Sequence, residues 1–254
     1  MNNLHSVEII GHRGFPFKAP ENTKLSFEAA LSAGADMLET DIRITGDGKL
    51  IISHDDSFAR LSDFSGIIRN CSSTELKKIQ LKGPGNTEDT PLLMEEALRL
   101  FPDVSFSVDL KDSCPEIVYA WVNLLKKTNS CKRCITASFN YKTQKLFRSI
   151  LPDAPSSLSK REIAVLLLKM IFNIFPVPEK NRNILQIPEK YGCITVLTGK
   201  RAVKLKKKGW IIHVWTVDNI KDMERLASWG VDGIITNRPD LLKDIQNEKA
   251  AVYG

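Results

Sequence analysis

Short apolar or β-branched runs recur along the chain, and most are followed by a stretch whose apolar residues return every three to four positions. The runs are VEIIGH (7–12), DMLETDI (36–42), VSFSVDL (104–110), CITASF (134–139), PSSLS (155–159), ILQIP (184–188), WIIHVWTV (210–217) and GIIT (233–236), with PSSLS the weakest. Helical periodicity marks TKLSFEAALSAG (23–34), LLMEEALRLF (92–101), EIVYAWVNLLKK (116–127), AVKLKKKG (202–209) and NIKDMERLASWG (219–230), several closed by the glycine that helix ends favour. Strands alternating with amphipathic helices predict βα units around a parallel sheet, and eight of them predict a closed (β/α)8 barrel, an α/β fold. At 254 residues the whole chain, 1–254, fits one such domain. One interval breaks the rhythm. After the second run, residues 46–70 insert a GDG turn and a further short strand, LIISHD (50–55), read as an elaborated loop over one barrel end.

The most apolar stretch, KREIAVLLLKMIFNIFPVP (160–178), is interrupted by Lys169 and Asn173. About 14 apolar residues rising 1.5 Å each do not cross a hydrocarbon core of about 30 Å. It reads first as a buried or half-buried barrel helix. The other reading is a mouth-side helix that dips into a membrane surface, helped by Lys160, Arg161, Lys169 and Lys180. A net charge of +6 suits an anionic substrate or an anionic membrane surface. Nucleic acid is not expected, because the basic runs KLKKKGW and EKNRN lack interleaved aromatics. Five scattered cysteines, an odd number, with the lone pair CKRC, point to reduced thiols rather than a disulfide framework or zinc site. The first residues lack a basic segment followed by an apolar one, so a cytoplasmic location is expected. His5 is read as solvent-exposed, ahead of the first strand.

Polar residues gather at strand ends: His12 and Arg13 after the first, Glu39 and Asp41 in the second, His54 and Asp55 in the inserted strand, Asp109 and Lys111 in the third. In each i, i+2 pair both side chains point the same way, and a barrel brings such ends to one mouth. Three carboxylates held close call for a cation, and an oxygen-only set favours a hard ion, Mg²⁺, Ca²⁺ or Mn²⁺, over zinc. The plainer alternative is that these are strand-end residues paired in salt bridges with Arg13, Arg43 and Lys111.

GHRG with PENT, then LETDIRITGDGKLIISHD, DLK, HVWTVDN and GVDGIITNRPD, in this order to about Leu242, resemble the glycerophosphodiester phosphodiesterase family. The resemblance implies a (β/α)8 (TIM) barrel that uses one divalent cation to hydrolyse small-molecule glycerophosphodiesters to sn-glycerol 3-phosphate and an alcohol. It implies His12 and His54 as the acid/base pair, Glu39 and Asp41 as metal ligands, and Arg13 and Lys111 as phosphate holders; it favours His54 as the acid. Asp109 would be a third ligand, although the family usually has Glu there. Trp215 matches a tryptophan lining the family's mouth, and Phe139 is a similar candidate. Phe15 and Phe17 depart from the small residues of many relatives and read either as mouth aromatics or as packing. His213 is read as a satisfied core histidine, and Asn22 or Thr23 as a helix N-cap. Two alternatives stay open: a lipid phosphodiesterase on the same barrel, acting on lysophospholipids or a phosphoglycerolipid, and a catalytically silent barrel that binds phosphorylated ligands.

Overall fold

The computed structural model describes residues 7–253; His5 lies outside them. Parallel strands β1 (Glu8–His12), β2 (Met37–Ile44), β4 (Ser105–Leu110), β5 (Cys134–Ala137), β6 (Ile184–Ile187), β7 (Ile211–Val214) and β8 (Gly233–Thr236) pair in the order β5-β4-β2-β1-β8-β7-β6. The strand β3 (Leu50–Ile52) folds back antiparallel on β2. Between β5 and β6 the PSSLS run makes no extended strand. Ser156 and Ser157 instead form single parallel bridges to Thr136 and Ile184, which close the barrel at its thinnest point. Serines lack the β-branched bulk that favours a pleated, half-buried surface, and this accounts for the abbreviated strand.

Besides one short turn of helix at Ser73–Leu76 in the inserted region, the helices are α1 (Lys24–Ser32), α2 (Met94–Leu100), α3 (Pro115–Lys127), α4 (Tyr141–Ile150), α5 (Lys160–Ile171), α6 (Gly199–Lys207), α7 (Ile220–Ser228) and α8 (Pro239–Tyr253). Strand residues alternate between two environments. Leu38, Ile42, Phe106 and Val108 pack outward against helices carrying Phe27 and Trp121, while Ile10, Met37, Ile135, Ile184 and Ile235 fill the barrel interior. The second helix-to-sheet core lies around Ile9, Leu185, Ile212, Val214 and Ile234.

The inserted region has a small core of its own, with Ile51, Phe58, Ile68, Leu76 and Leu81 buried together. The short β3 within it matters for the site. It turns back through Gly48, at φ +74°, and lays Ile52 beside Ile42, so that the Ser53 amide donates to the Asp41 carbonyl and His54 follows directly at the end of the strand.

Helix α5 is the half-buried form of the first reading of the 160–178 stretch, with Ile163, Leu166, Leu167 and Met170 against the core. Of its twelve residues only Leu166 and Met170 are buried, and Leu168, Ile171 and the adjoining Phe172 stand mostly in solvent. The helix is apolar around too much of its circumference for a single neighbouring core to cover it. Among the described residues, no helix is long and apolar enough to cross a membrane.

Candidate active site

Strand register assembles the site. In the parallel ladder His12 lies beside Glu39, and Asp41 beside Asp109, so four candidate residues share neighbouring rungs at the carboxyl ends of β1, β2 and β4. Glu39, Asp41 and Asp109 are all buried. The chain then leaves β1 through a tight turn in which Arg13 and Gly14 are both left-handed, at φ 56° and 82°. That turn folds the Arg13 side chain back over Asp41, its Nε 3.4 Å from Oδ2. Ser26 locks the turn: its hydroxyl donates to the Arg13 carbonyl and accepts from the Phe15 amide.

Each histidine is oriented by a different kind of partner. His12 Nδ1 is 2.7 Å from Asn237 Oδ1, and Asn237 donates through its amide nitrogen and its backbone to Asp218. An oxygen at that position requires Nδ1 to carry the proton, which leaves Nε2 as an acceptor, 3.8 Å from Glu39. His54 Nδ1 is 2.7 Å from a carboxylate, Asp55, which Arg60 holds from the other side. Arg60 also grips Glu21, and Glu21 grips Arg13 at 2.8 Å, so an ionic chain links the two halves of the mouth. Glu21, Arg60, Asp218 and Asn237 were not singled out as site residues from the sequence, and Asp55 was read only as a polar residue at a strand end. No spacing rule joins them; only PENT, TVDN and ITN, present as motifs, marked the neighbourhood.

Lys111 Nζ sits between Asp41 Oδ1 and Asp109 Oδ2, 2.8 Å from each. Burial works to raise the Asp41 carboxyl, but Lys111 and Arg13 together pull it below its ordinary range. Asp109 is raised, because burial outweighs the help from Lys111, and its Oδ1 is buried with no partner among the described residues. Glu39 is pushed well above the usual carboxylate range by burial and by Asp41. His12 is lowered, by burial first and by Arg13 second.

Among the described residues, no three His, Cys, Asp or Glu side chains converge into a ready-made metal shell. Lys111 joins Asp41 to Asp109. The donor chemistry nevertheless fits a hard divalent cation: three carboxylates face two cationic side chains, and the orphaned Asp109 oxygen and the destabilised Glu39 carboxylate both gain from added positive charge.

These residues floor a pocket of about 650 Å³ that His12, Arg13, Glu39, Asp41, His54, Asp109 and Lys111 all line. Phe139 and Trp215 form one wall, edge to face with centroids 6.0 Å apart, and the Lys111 and Lys160 ammoniums each lie 5.6 Å from the Phe139 ring. Phe15 and Phe17 do not line it: Phe15 is buried in the outer core, and Phe17 lies exposed under Arg238. Asn22 is more than a cap candidate. Thr23 takes the capping role, while Asn22, buried, donates to Asp41 and accepts from Thr40. His213 is buried, yet its Nδ1 has no partner among the described residues, so it is not a fully satisfied core residue.

A family model described as the glycerophosphoryl diester phosphodiesterase family matches residues 12–241. The glycerophosphodiester phosphodiesterase of Caldanaerobacter subterraneus subsp. tengcongensis is 30% identical over 92% of this chain and 95% of its own. A human lysophospholipase D is 22% identical over 95% of this chain and 87% of its own. The structure of an Oleispira antarctica phosphodiesterase, in complex with the product sn-glycerol-3-phosphate, matches with a TM-score of 0.76 at 21% identity, covering 94% of this chain and 96% of that one. The chain thus belongs to the glycerophosphoryl diester phosphodiesterase family.

Proposed function

We propose that this protein hydrolyses glycerophosphodiesters, such as glycerophosphocholine or glycerophosphoethanolamine, to sn-glycerol 3-phosphate and the free alcohol, with His12 as base and His54 as acid. The observation that carries the reading is the meeting, in one pocket, of two separately oriented histidines with Arg13 and Lys111, on a chain that the family model matches from His12 onward.

A phosphodiester is a monoanion that gains negative charge as a nucleophile adds, so Arg13 and Lys111 stabilise the transition state more than the ground state. His12 Nε2 takes the proton of the glycerol hydroxyl next to the ester. That oxygen bonds to phosphorus, the bond from phosphorus to the alcohol oxygen breaks, and His54 protonates the departing alcohol. Water then opens the cyclic phosphate with the two histidines exchanging roles. The partners support this division. His54 Nδ1 is held by the Asp55 carboxylate, whereas the neutral Asn237 oxygen takes the proton of His12 Nδ1 and leaves Nε2 as an acceptor. His54 is also nearer the rim, its side chain 37% exposed against 19% for His12. Glu39, Asp41 and Asp109 would hold one divalent cation, Mg²⁺ or Ca²⁺, which when bound supplies Lewis-acid stabilisation of a phosphoryl oxygen.

One observation favours a second reading, hydrolysis of lysophospholipids: beyond Phe139 the pocket wall is apolar, built from Leu158, Ile163, Leu167, Ile194 and Val196. Turnover of glycerophosphocholine and lysophosphatidylcholine, compared with Mg²⁺ or Ca²⁺ supplied, separates the two. The first reading requires the soluble diester to be the better substrate; a large preference for the lysolipid would replace it with the second.

A further inference from the structure

We propose that the outer face of α5 and the neighbouring hairpin at residues 190–195 seat this protein on an anionic lipid bilayer, with the pocket mouth at the lipid surface. The apolar stripe of α5 does not stop at the pocket. Ile163, Ala164 and Leu167 line the cavity, and the next positions around the helix carry the stripe outside, where Leu168 is 57% exposed, Ile171 68% and Phe172 69%. Across the mouth, Tyr191 and Ile194 of the hairpin are each 56% exposed. Contiguous apolar surface of this kind, running into a polar catalytic floor, marks an interaction face rather than scattered surface residues.

Charge selects the partner. Residues 158–210, which contain α5 and the hairpin, hold twelve Lys and Arg against three Glu, while the rest of the chain holds 24 basic against 27 acidic residues. The chain's positive excess therefore resides in this one segment. Its three carboxylates are neutralised by arginines: Glu162 pairs with Arg148, Glu179 with Arg182 and Glu189 with Arg225. Lys160, Lys169, Lys180 and Lys190 are exposed around the apolar face. An apolar strip edged by lysines, on a helix too short to span, is the chemistry of an interfacial helix that buries its apolar side among acyl chains while its lysines meet anionic headgroups. A second copy of the chain would bring like charges together at the same face.

Docking does not rest on the phosphodiesterase reading, which supplies only its use. Cosedimentation with vesicles of phosphatidylcholine, and of phosphatidylcholine mixed with phosphatidylglycerol, tests it without reference to turnover. The wild type should bind the mixed vesicles, less tightly as salt is raised, and bind pure phosphatidylcholine weakly. The double variant Leu168→Gln/Phe172→Gln should lose affinity about tenfold or more, and so should Lys169→Glu/Lys180→Glu, with hydrolysis of glycerophosphocholine unchanged in both. Failure of the wild type to bind anionic vesicles would overturn the inference while leaving the hydrolytic reading intact. So would undiminished binding by the Leu168/Phe172 variant, or a wild-type dimer in sedimentation that this variant dissolves, which would assign the face to a second copy.

Discussion

His54 and His12 present similar imidazoles to the same pocket but answer to different neighbours, a carboxylate and an amide. Removing the general acid should cost about 10² to 10⁴ in rate on a natural alcohol leaving group. His54→Ala is therefore predicted to lose most turnover of glycerophosphocholine and far less on a nitrophenyl ester, whose leaving group needs little protonation. Equal losses on both substrates would deny His54 that role. Asp109 makes a second prediction. If its orphaned oxygen faces a dication, Asp109→Asn weakens apparent metal affinity, and rate lost at low metal returns as metal is raised. Overlapping metal titrations for variant and wild type would leave Asp109 as the partner of Lys111 alone. At this scale the sequence exposes residues whose type and position name a chemistry: paired acids two apart, and histidines at strand ends. It hides the orienting groups. Asn237 lies 225 residues from His12, and Glu21 reaches Arg60 across 39, contacts created only when the barrel closes.

Individual elements set how these residues meet. The turn after β1 is the tightest example, because a Cβ on Gly14 would come within 2.5 Å of Ser26 Oγ and 2.6 Å of the Ser26 backbone carbon, at a φ of +82°. Gly14→Ala is predicted to destabilise the fold by about 2 kcal/mol and to lower activity by displacing Arg13, measured as an earlier urea midpoint. An unchanged midpoint would mean that the turn relaxes freely. Strong, long periodic runs are legible as strands and helices because local pattern and tertiary burial agree there. Two elements are not. The Ser156–Ser157 strand is held by its neighbours on both sides rather than by its own propensity. Helix α5 has an apolar pattern that predicts burial, yet among the described residues nothing covers its outer face. Periodicity reveals that a face wants covering; it does not reveal with what.

For the molecule as a whole, a buried base far below its ordinary pKa makes stability depend on pH. Burial pushes His213 down to about 4 from 6.5, Asp232 opposing slightly and Lys206 assisting, with Glu8 3.7 Å away. Below pH 6.5 the unfolded chain binds a proton that the folded chain refuses. The contribution is thus fully present above 6.5 and is lost as pH falls to about 4, amounting to about 3 kcal/mol. Denaturation curves at pH 7.5 and 4.5 should separate more for the wild type than for His213→Leu; equal separations would contradict this origin. The catalytic account has a more direct test. Purified protein incubated with glycerophosphocholine and Mg²⁺ or Ca²⁺ is predicted to release choline and sn-glycerol 3-phosphate, the latter told from phosphocholine by phosphorus NMR, and His12→Ala is predicted to lose this reaction. Phosphocholine and glycerol as products, no hydrolysis with any divalent cation, or full activity in His12→Ala would contradict it.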